Sequence, residues 1–307
     1  MKARIKSKIE NRNEIFQQTR DFFYQRNVLE VDTPLVRQYT VTDPYMSALG
    51  VFDSRENQQG YLQTSPEYAM KELLSDGSGD IFQLSKMFRA DEQSKIHSSE
   101  FTMLEWYRIG FDHIELIEEV VEFIQQIVGT KKTKIVSYRD VFLSVLSIDP
   151  FNISFESLKK KSTQLLGELP EELLFDNYLT LLFSEKIELS FDQNLITIVK
   201  DYPASQASLA KARSENGITT ADRFEVYLAG MELANGFNEL TDPQLQLVRF
   251  KEDNQIRKQL GYPEIEIDTG FINALEKGLP NCAGVALGID RLLMIKLGEK
   301  NISEVIL

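Results

Sequence analysis

The sequence predicts an α+β fold, a mainly antiparallel sheet flanked by helices and interrupted by a helical insertion. Three observations lead there. Segments with a two-residue period lie at 81–92, 100–109 and 223–237, the last of them doubling back on itself. Helical patterns open the chain and fill much of 112–200 around a shorter strand. No linker divides the 307 residues, which predicts one domain, 1–307, with about 112–200 inserted into it.

Each element has its own signal. In IENRNEIFQQTRDFFYQR (9–26), Ile9, Ile15, Phe16, Thr19, Phe22 and Phe23 fall near one helical face. VLEVDTPLV follows as a short strand that Pro34 limits to an edge or an ending. YLQT reads as a strand and SPEYAMKELLSDG as a helix, with Ser65 as N-cap, Pro66 in the first turn and Gly77 as the stop. IFQLSKMFRADE and EFTMLEWYRI read as two strands joined by a charged loop. RFEVYLAGMELANGF reads as a β-hairpin turning at Ala229-Gly230, and the last forty residues as helix, strand, helix.

Composition narrows the function. With 42% hydrophobic and 26% charged residues the chain is ordinary for a globular protein, without a bilayer-length apolar run or a signal-peptide pattern, so a cytoplasmic protein is expected. Cys282 is the only cysteine, which excludes an intrachain disulfide, and with His97 and His113 as the only histidines a Cys/His zinc site is not expected. The net charge of −13 supplies no general attraction to nucleic acid. The basic runs KKTK (131–134) and KKK (159–161) read as solvated faces.

FRADEQSKIHSSEFTMLEWY (88–107) crowds both signs of charge among apolar residues. It is either an edge hairpin with a solvated face or a grip on a ligand with anionic and cationic ends. Strand alternation puts Ser85, Met87, Arg89 and Asp91 on one face, and Phe101, Met103, Glu105 and Tyr107 on one face. If the strands pair, one surface presents a guanidinium, an aromatic ring, two carboxylates and a phenol, and buried charges of that kind need a ligand or a mutual network. In the hairpin, Tyr227 falls opposite Glu232, so Glu225 and Glu232 project together. Two such carboxylates suit Mg²⁺ held against phosphate, although spacing alone leaves two solvent-facing acids equally open. In GVALGIDRLLMIKLG, Arg291 enters the first turn of a helix, a place for a cation only if an anion lies nearby.

Three of these segments together resemble the class II aminoacyl-tRNA synthetases, most closely the lysyl branch. The first helix with VLEVDTPLV resembles motif 1, FRADEQSKIHSSEFTMLEWY motif 2 and GVALGIDRLLM motif 3; TSPE (64–67) and MELANGFNEL (231–240) resemble the lysyl substrate segments. The resemblance implies a class II synthetase-like catalytic domain that uses ATP and Mg²⁺. Arg89 would bridge the amino-acid carboxylate and the ATP α-phosphate, Phe101 would stack on adenine, and His97 and Arg291 would meet the distal phosphates. Asp91 stands at the adenine-contact position where the family usually has Glu, and Ser98-Ser99 replaces Asn-Pro in the motif 2 loop. Glu225 and Glu232 would hold Mg²⁺. Glu105, Tyr107 and Glu239 would hold a lysine side-chain ammonium, Glu67 the other amine, with Ser65 in the same segment and Asn235 lining the pocket. For Phe101 a plain core role, and for Glu67 a helix N-terminal role, are the bland alternatives.

The motif 1 helix begins almost at Met1, so no anticodon-reading domain is expected, and with it no tRNA partner. Together with YPASQASLA (202–210) and RFEVY (223–227), this resembles the lysyl-synthetase paralogues that attach β-lysine to a lysine of bacterial elongation factor P. Ala286, where lysyl-tRNA synthetases usually have Gly, would crowd the α-amino site and favour a β-amine. Motif 1 implies a homodimer. A tRNA-charging enzyme, an inactive regulator and an ammonia-dependent amide synthetase are the alternatives; the retained Arg89, Arg291, Glu225 and Glu232 disfavour the regulator, and Glu105, Tyr107 and Glu239 the amide synthetase.

Overall fold

The computed structural model describes residues 2–90 and 93–307, which form two compact units, 1–129 with 239–307, and 130–238. The first unit begins with α1 (Lys2–Tyr24), β1 (Leu29–Glu30), β2 (Val36–Arg37), β3 (Gly50–Phe52), β4 (Gln58–Leu62), α2 (Glu67–Ser75), β5 (Ile81–Phe88), β6 (Glu100–Ile109) and α3 (His113–Val128). The second holds β7 (Lys132–Ser137), α4 (Tyr138–Leu146), α5 (Phe155–Leu166), α6 (Phe175–Leu182), β8 (Leu195–Pro203), β9 (Ala212–Glu215), β10 (Ile218–Leu228) and β11 (Met231–Asn238). The chain then returns to the first unit with α7 (Pro243–Gln259), α8 (Thr269–Gly278), β12 (Cys282–Gly288) and α9 (Ile289–Leu297). Among the described residues no helix is long and apolar enough to cross a membrane.

In the first unit the strand order is β1-β5-β6-β12, with β5, β6 and β12 antiparallel and β1 parallel to β5. Pro34 thus follows a two-residue edge strand, as expected of a residue that cannot donate to a ladder. One face of β5 and β6 carries Phe82 and Trp106, against which α1 sets Phe23 at 4.7 Å and 5.2 Å between ring centroids. Phe123 of α3 closes the cluster edge-on to Phe22 at 5.2 Å, a preferred aromatic geometry. This apolar layer occupies one side of the sheet and leaves the opposite face of β6 for polar groups. Ile9, placed on the core face by periodicity, is half exposed, because the buried stripe of α1 starts at Arg12 and Ile15.

Two boundaries differ from expectation. Pro66, not Ser65, occupies the cap position of α2; the Ser65 hydroxyl still accepts from the Glu67 N–H at 3.0 Å, covering one of the free donors of the first turn. The strand expected to run through Arg89 and Asp91 ends at Phe88. The Gly77 stop holds, with φ of 90° and a Ser78 N–H to Leu73 O bond of 3.1 Å behind it.

In the second unit the order is β11-β10-β8-β7, with β9 on β10. Helices α4 to α6 cover it through Tyr138, Phe142, Leu158, Tyr178 and Leu182, which join Val199, Tyr202 and Tyr227 in one buried cluster. The β10–β11 turn sits at Ala229 and Gly230, both with positive φ, as a two-residue hairpin turn requires.

Candidate active site

The register of β6 with its two neighbours builds the floor of the site in the first unit. Glu105 lies between Gln83 of β5 and Ala286 of β12, and Tyr107 between Ile81 and Gly284. Opposed residues share a face, so small side chains on β12 leave room for large polar ones on β6. At Gly284 that room is essential. A Cβ there would stand 2.3 Å from Tyr107 Cε1 and 2.6 Å from a Glu239 carboxylate oxygen. The Tyr107 ring therefore lies directly over the Gly284 backbone, beside Glu239.

Three carboxyl groups lie close together above this floor. Glu105 is 2% exposed and accepts from the Tyr107 hydroxyl at 2.7 Å and the Ser65 hydroxyl at 3.1 Å. Burial, reinforced by the charge of Glu67, pushes its carboxyl up to about 8. The Tyr107 hydroxyl is raised well above its ordinary value by burial and by the Glu105 charge. Glu67, in the first turn of α2, and Glu239, 1% exposed, each stand 2.6 Å from the Lys71 ammonium. Ser65, Glu67, Glu105, Tyr107 and Glu239, predicted from separate segments, are thus gathered in one buried cluster, with Ala286 opposite Glu105.

A second group lies where β5 and β6 leave the sheet. Arg89 follows the end of β5, its N–H donating to Ser99 O at 2.9 Å, its guanidinium donating to Thr64 O at 3.3 Å and standing 5.1 Å from the Phe101 ring centroid. Arg291 enters the first turn of α9 as expected and donates to Ile96 O at 3.3 Å, next to His97, whose Nδ1 pairs with the Ser94 hydroxyl at 2.8 Å. Asp91 lies outside the described residues. The residue before Arg291 does the anchoring. Asp290, 1% exposed, accepts from Thr102 N–H at 2.6 Å and from Arg12 at 2.5 Å, binding α9 to β6 and α1.

In the second unit the hairpin carries its acids on one face, by a route that simple alternation does not give. Tyr227 pairs with Glu232 and Glu225 with Asn235, with a β-bulge between. The extra residue in β11 lets Glu232 and Asn235, three apart, both join the face of Glu225. Glu225 accepts from Tyr202 at 2.6 Å and also from Tyr227 and Arg223. Burial is the largest influence on the Arg223 guanidinium and would lower it, yet the charge and hydrogen bond of Glu225 together with Tyr202 and Glu232 leave the group raised. Asn235 Oδ1 is buried without a hydrogen-bond partner among the described residues, an acceptor of the kind a ligand satisfies. Glu225, held by neutral and cationic donors, shares its face with Glu232, and such a pair of carboxylates is an all-oxygen set that would suit Mg²⁺ sharing its remaining positions with phosphate and water.

The chain matches the family model of the class II tRNA synthetases (D, K and N) over residues 1–307. It belongs to that family. The class II resemblance of the three motifs is borne out. Among curated relatives, proteins named elongation factor P–(R)-β-lysine ligase are similar throughout. That of Histophilus somni (strain 2336) is 47% identical over 299 residues, covering 96% of this chain and 92% of the relative. That of Vibrio cholerae is 46% identical over 308 residues, covering 97% and 94%. That of Avibacterium paragallinarum is 44% identical over 301 residues, covering 96% and 93%.

For this class II chain, sequence reasoning missed Lys71, Arg223, Tyr202, Gly284 and the Arg12–Asp290 pair. The Glu67–Lys71 spacing of four on a helix was the available signal for the first. The others depend on which strands adjoin and where a bulge falls.

Proposed function

We propose that the protein is an ATP-dependent ligase that activates β-lysine as an aminoacyl-adenylate and transfers it to a lysine side chain of elongation factor P. The observation that carries this reading is the buried cluster in which Glu67 and Glu239 share the Lys71 ammonium while Glu105 bonds to Ser65 and Tyr107, with Arg89 just past the end of the adjoining strand. A pocket with that surplus of carboxylates suits a substrate bearing two ammonium groups, whose own carboxylate then needs a cation. The relatives' names supply the acceptor.

Under this reading Glu105, Tyr107 and Glu239 bind the side-chain ammonium, Glu67 the second amine, and Arg89 pairs with the substrate carboxylate. Phe101 stacks on adenine, while His97 and Arg291 neutralise the distal phosphates. The carboxylate attacks the α-phosphorus in line; the bond to the pyrophosphate oxygen breaks and the adenylate forms. No protein nucleophile is required, because orientation and charge stabilisation carry the step. Glu225 and Glu232 would hold Mg²⁺, which offsets phosphate charge when bound. An acceptor ε-amine then attacks the adenylate carbonyl, forming an amide and releasing AMP. Ala286, opposite Glu105, narrows the amine pocket by one methyl and favours the β-amine. The reaction belongs in the cytoplasm, where elongation factor P acts. Exposed Ile5 and Ile9 on α1, with Leu35 and Val36 after it, support a homodimer.

β-Lysine-dependent exchange of pyrophosphate into ATP tests the first step. The wild type should exchange, and Arg89→Ala should lose at least about a hundredfold in rate, in line with removal of one preorganised donor. A wild type that binds ATP and β-lysine but exchanges nothing would overturn the reading.

A further inference from the structure

Lys71 is 1% exposed on α2, one turn beyond Glu67 on the same face. Its ammonium stands 2.6 Å from Glu67 and 2.6 Å from Glu239, with the Phe271 ring centroid at 5.9 Å and the Glu105 carboxyl near enough to feel its charge. A buried charge cluster is a costly way to stabilise a fold, since apolar residues of the same volume serve as well or better. This cluster also has a definite charge count. Glu67 and Glu239 against one ammonium leave one negative charge to be met, and Glu105, which holds its proton in the substrate-free protein, supplies a second when a further ammonium draws that proton off.

We propose that Lys71 is a positioning residue for the amine pocket: its ammonium locks Glu67 and Glu239 in orientation and leaves the charge deficit that a diammonium substrate fills. The proposal rests on reading this pocket as the amine site. Lys71 thereby acts through its two carboxylates and does not touch the reacting atoms. Without it, Glu67 and Glu239 repel each other, turn apart or take up protons, and the substrate meets a pocket of the wrong shape and charge. Lys71 is remote in role from the nucleotide, so ATP affinity should be spared.

The test is Lys71→Met, which keeps the volume and removes the charge, with KM for β-lysine and for ATP measured separately by pyrophosphate exchange. The expected result is a rise of at least tenfold in KM for β-lysine with KM for ATP within twofold of wild type. Lys71→Ala supplies the second arm: added propylammonium matches the atoms removed and should restore part of the β-lysine affinity. Unchanged KM in a folded Lys71→Met overturns the proposal, as does a fall in thermal stability that lowers active fraction alone. Insolubility of both variants also counts against it, because Lys71 would then be needed for the fold. Wild-type exchange is the control: its absence overturns the amine-site reading together with the proposal, whereas wild-type exchange with an insensitive variant removes only the proposal.

Discussion

Replacing Gly284 with alanine adds one methyl group at the point where the pocket is tightest. That Cβ would lie 2.3 Å from Tyr107 Cε1, 2.5 Å from Cδ1 and 2.6 Å from a Glu239 oxygen. Ordinary contact between carbon atoms begins near ~3.5 Å, so ring and carboxylate must each retreat by about 1 Å. Neither has space, since Tyr107 is 2% and Glu239 1% exposed. Overpacking of this kind costs about 1–3 kcal/mol. If the strain is relieved by displacing the ring, the 2.7 Å bond from Tyr107 to Glu105 goes with it. Each ~1.4 kcal/mol is tenfold in affinity, which predicts a rise of about 5- to 150-fold in KM for β-lysine if the strain falls on the binding geometry. Pyrophosphate exchange reads the KM and thermal unfolding reads the strain. Tyr107→Ser in the Gly284→Ala background should recover stability without recovering affinity. A Gly284→Ala protein with wild-type KM and wild-type melting temperature would refute the packing argument.

Other perturbations follow from the same geometry. Burial and Glu67 hold Glu105 at about 8, so the folded, substrate-free protein keeps this proton more tightly than the unfolded chain. Its contribution to stability is therefore complete below the ordinary carboxylate range and lost as pH rises toward about 8; Glu105→Gln should flatten that decline in a pH series of melting temperatures. Asp290→Asn leaves Arg12 buried without its counter-charge and should cost about 3–5 kcal/mol in urea unfolding. Much of that should return in an Arg12→Met, Asp290→Asn double variant. Ala286→Gly removes the methyl opposite Glu105 and should raise activation of α-lysine relative to β-lysine by about tenfold, within the range one methylene commands; an unchanged ratio in competitive exchange would defeat the steric account.

Much of the site was legible because strand alternation is a local rule. Ser85, Met87, Phe101, Met103, Glu105 and Tyr107 share a face, and the observed register pairs Ser85 with Met103 and Met87 with Phe101. The turn at Ala229-Gly230 was equally local, its positive φ values being natural to such a hairpin. What escaped required knowledge of partners distant in sequence. Gly284 is ordinary until Tyr107 is known to lie across it, and Lys71 reads as a helix-surface lysine until Glu239 is brought to its ammonium. The bulge in β11 is likewise invisible to a count of two, which pairs Glu225 with the wrong neighbour yet still finds the right face. The end of β5 at Phe88 escaped because the chain beyond it keeps a ladder bond, Arg89 N–H to Ser99 O, without continuing the strand.

Transfer of label tests the central claim most directly. Purified protein is given ATP, Mg²⁺ and labelled β-lysine, with elongation factor P in one reaction and lysine tRNA in another. The account predicts label bound through an amide to elongation factor P and none in the tRNA. Label in the tRNA with none in elongation factor P would contradict it.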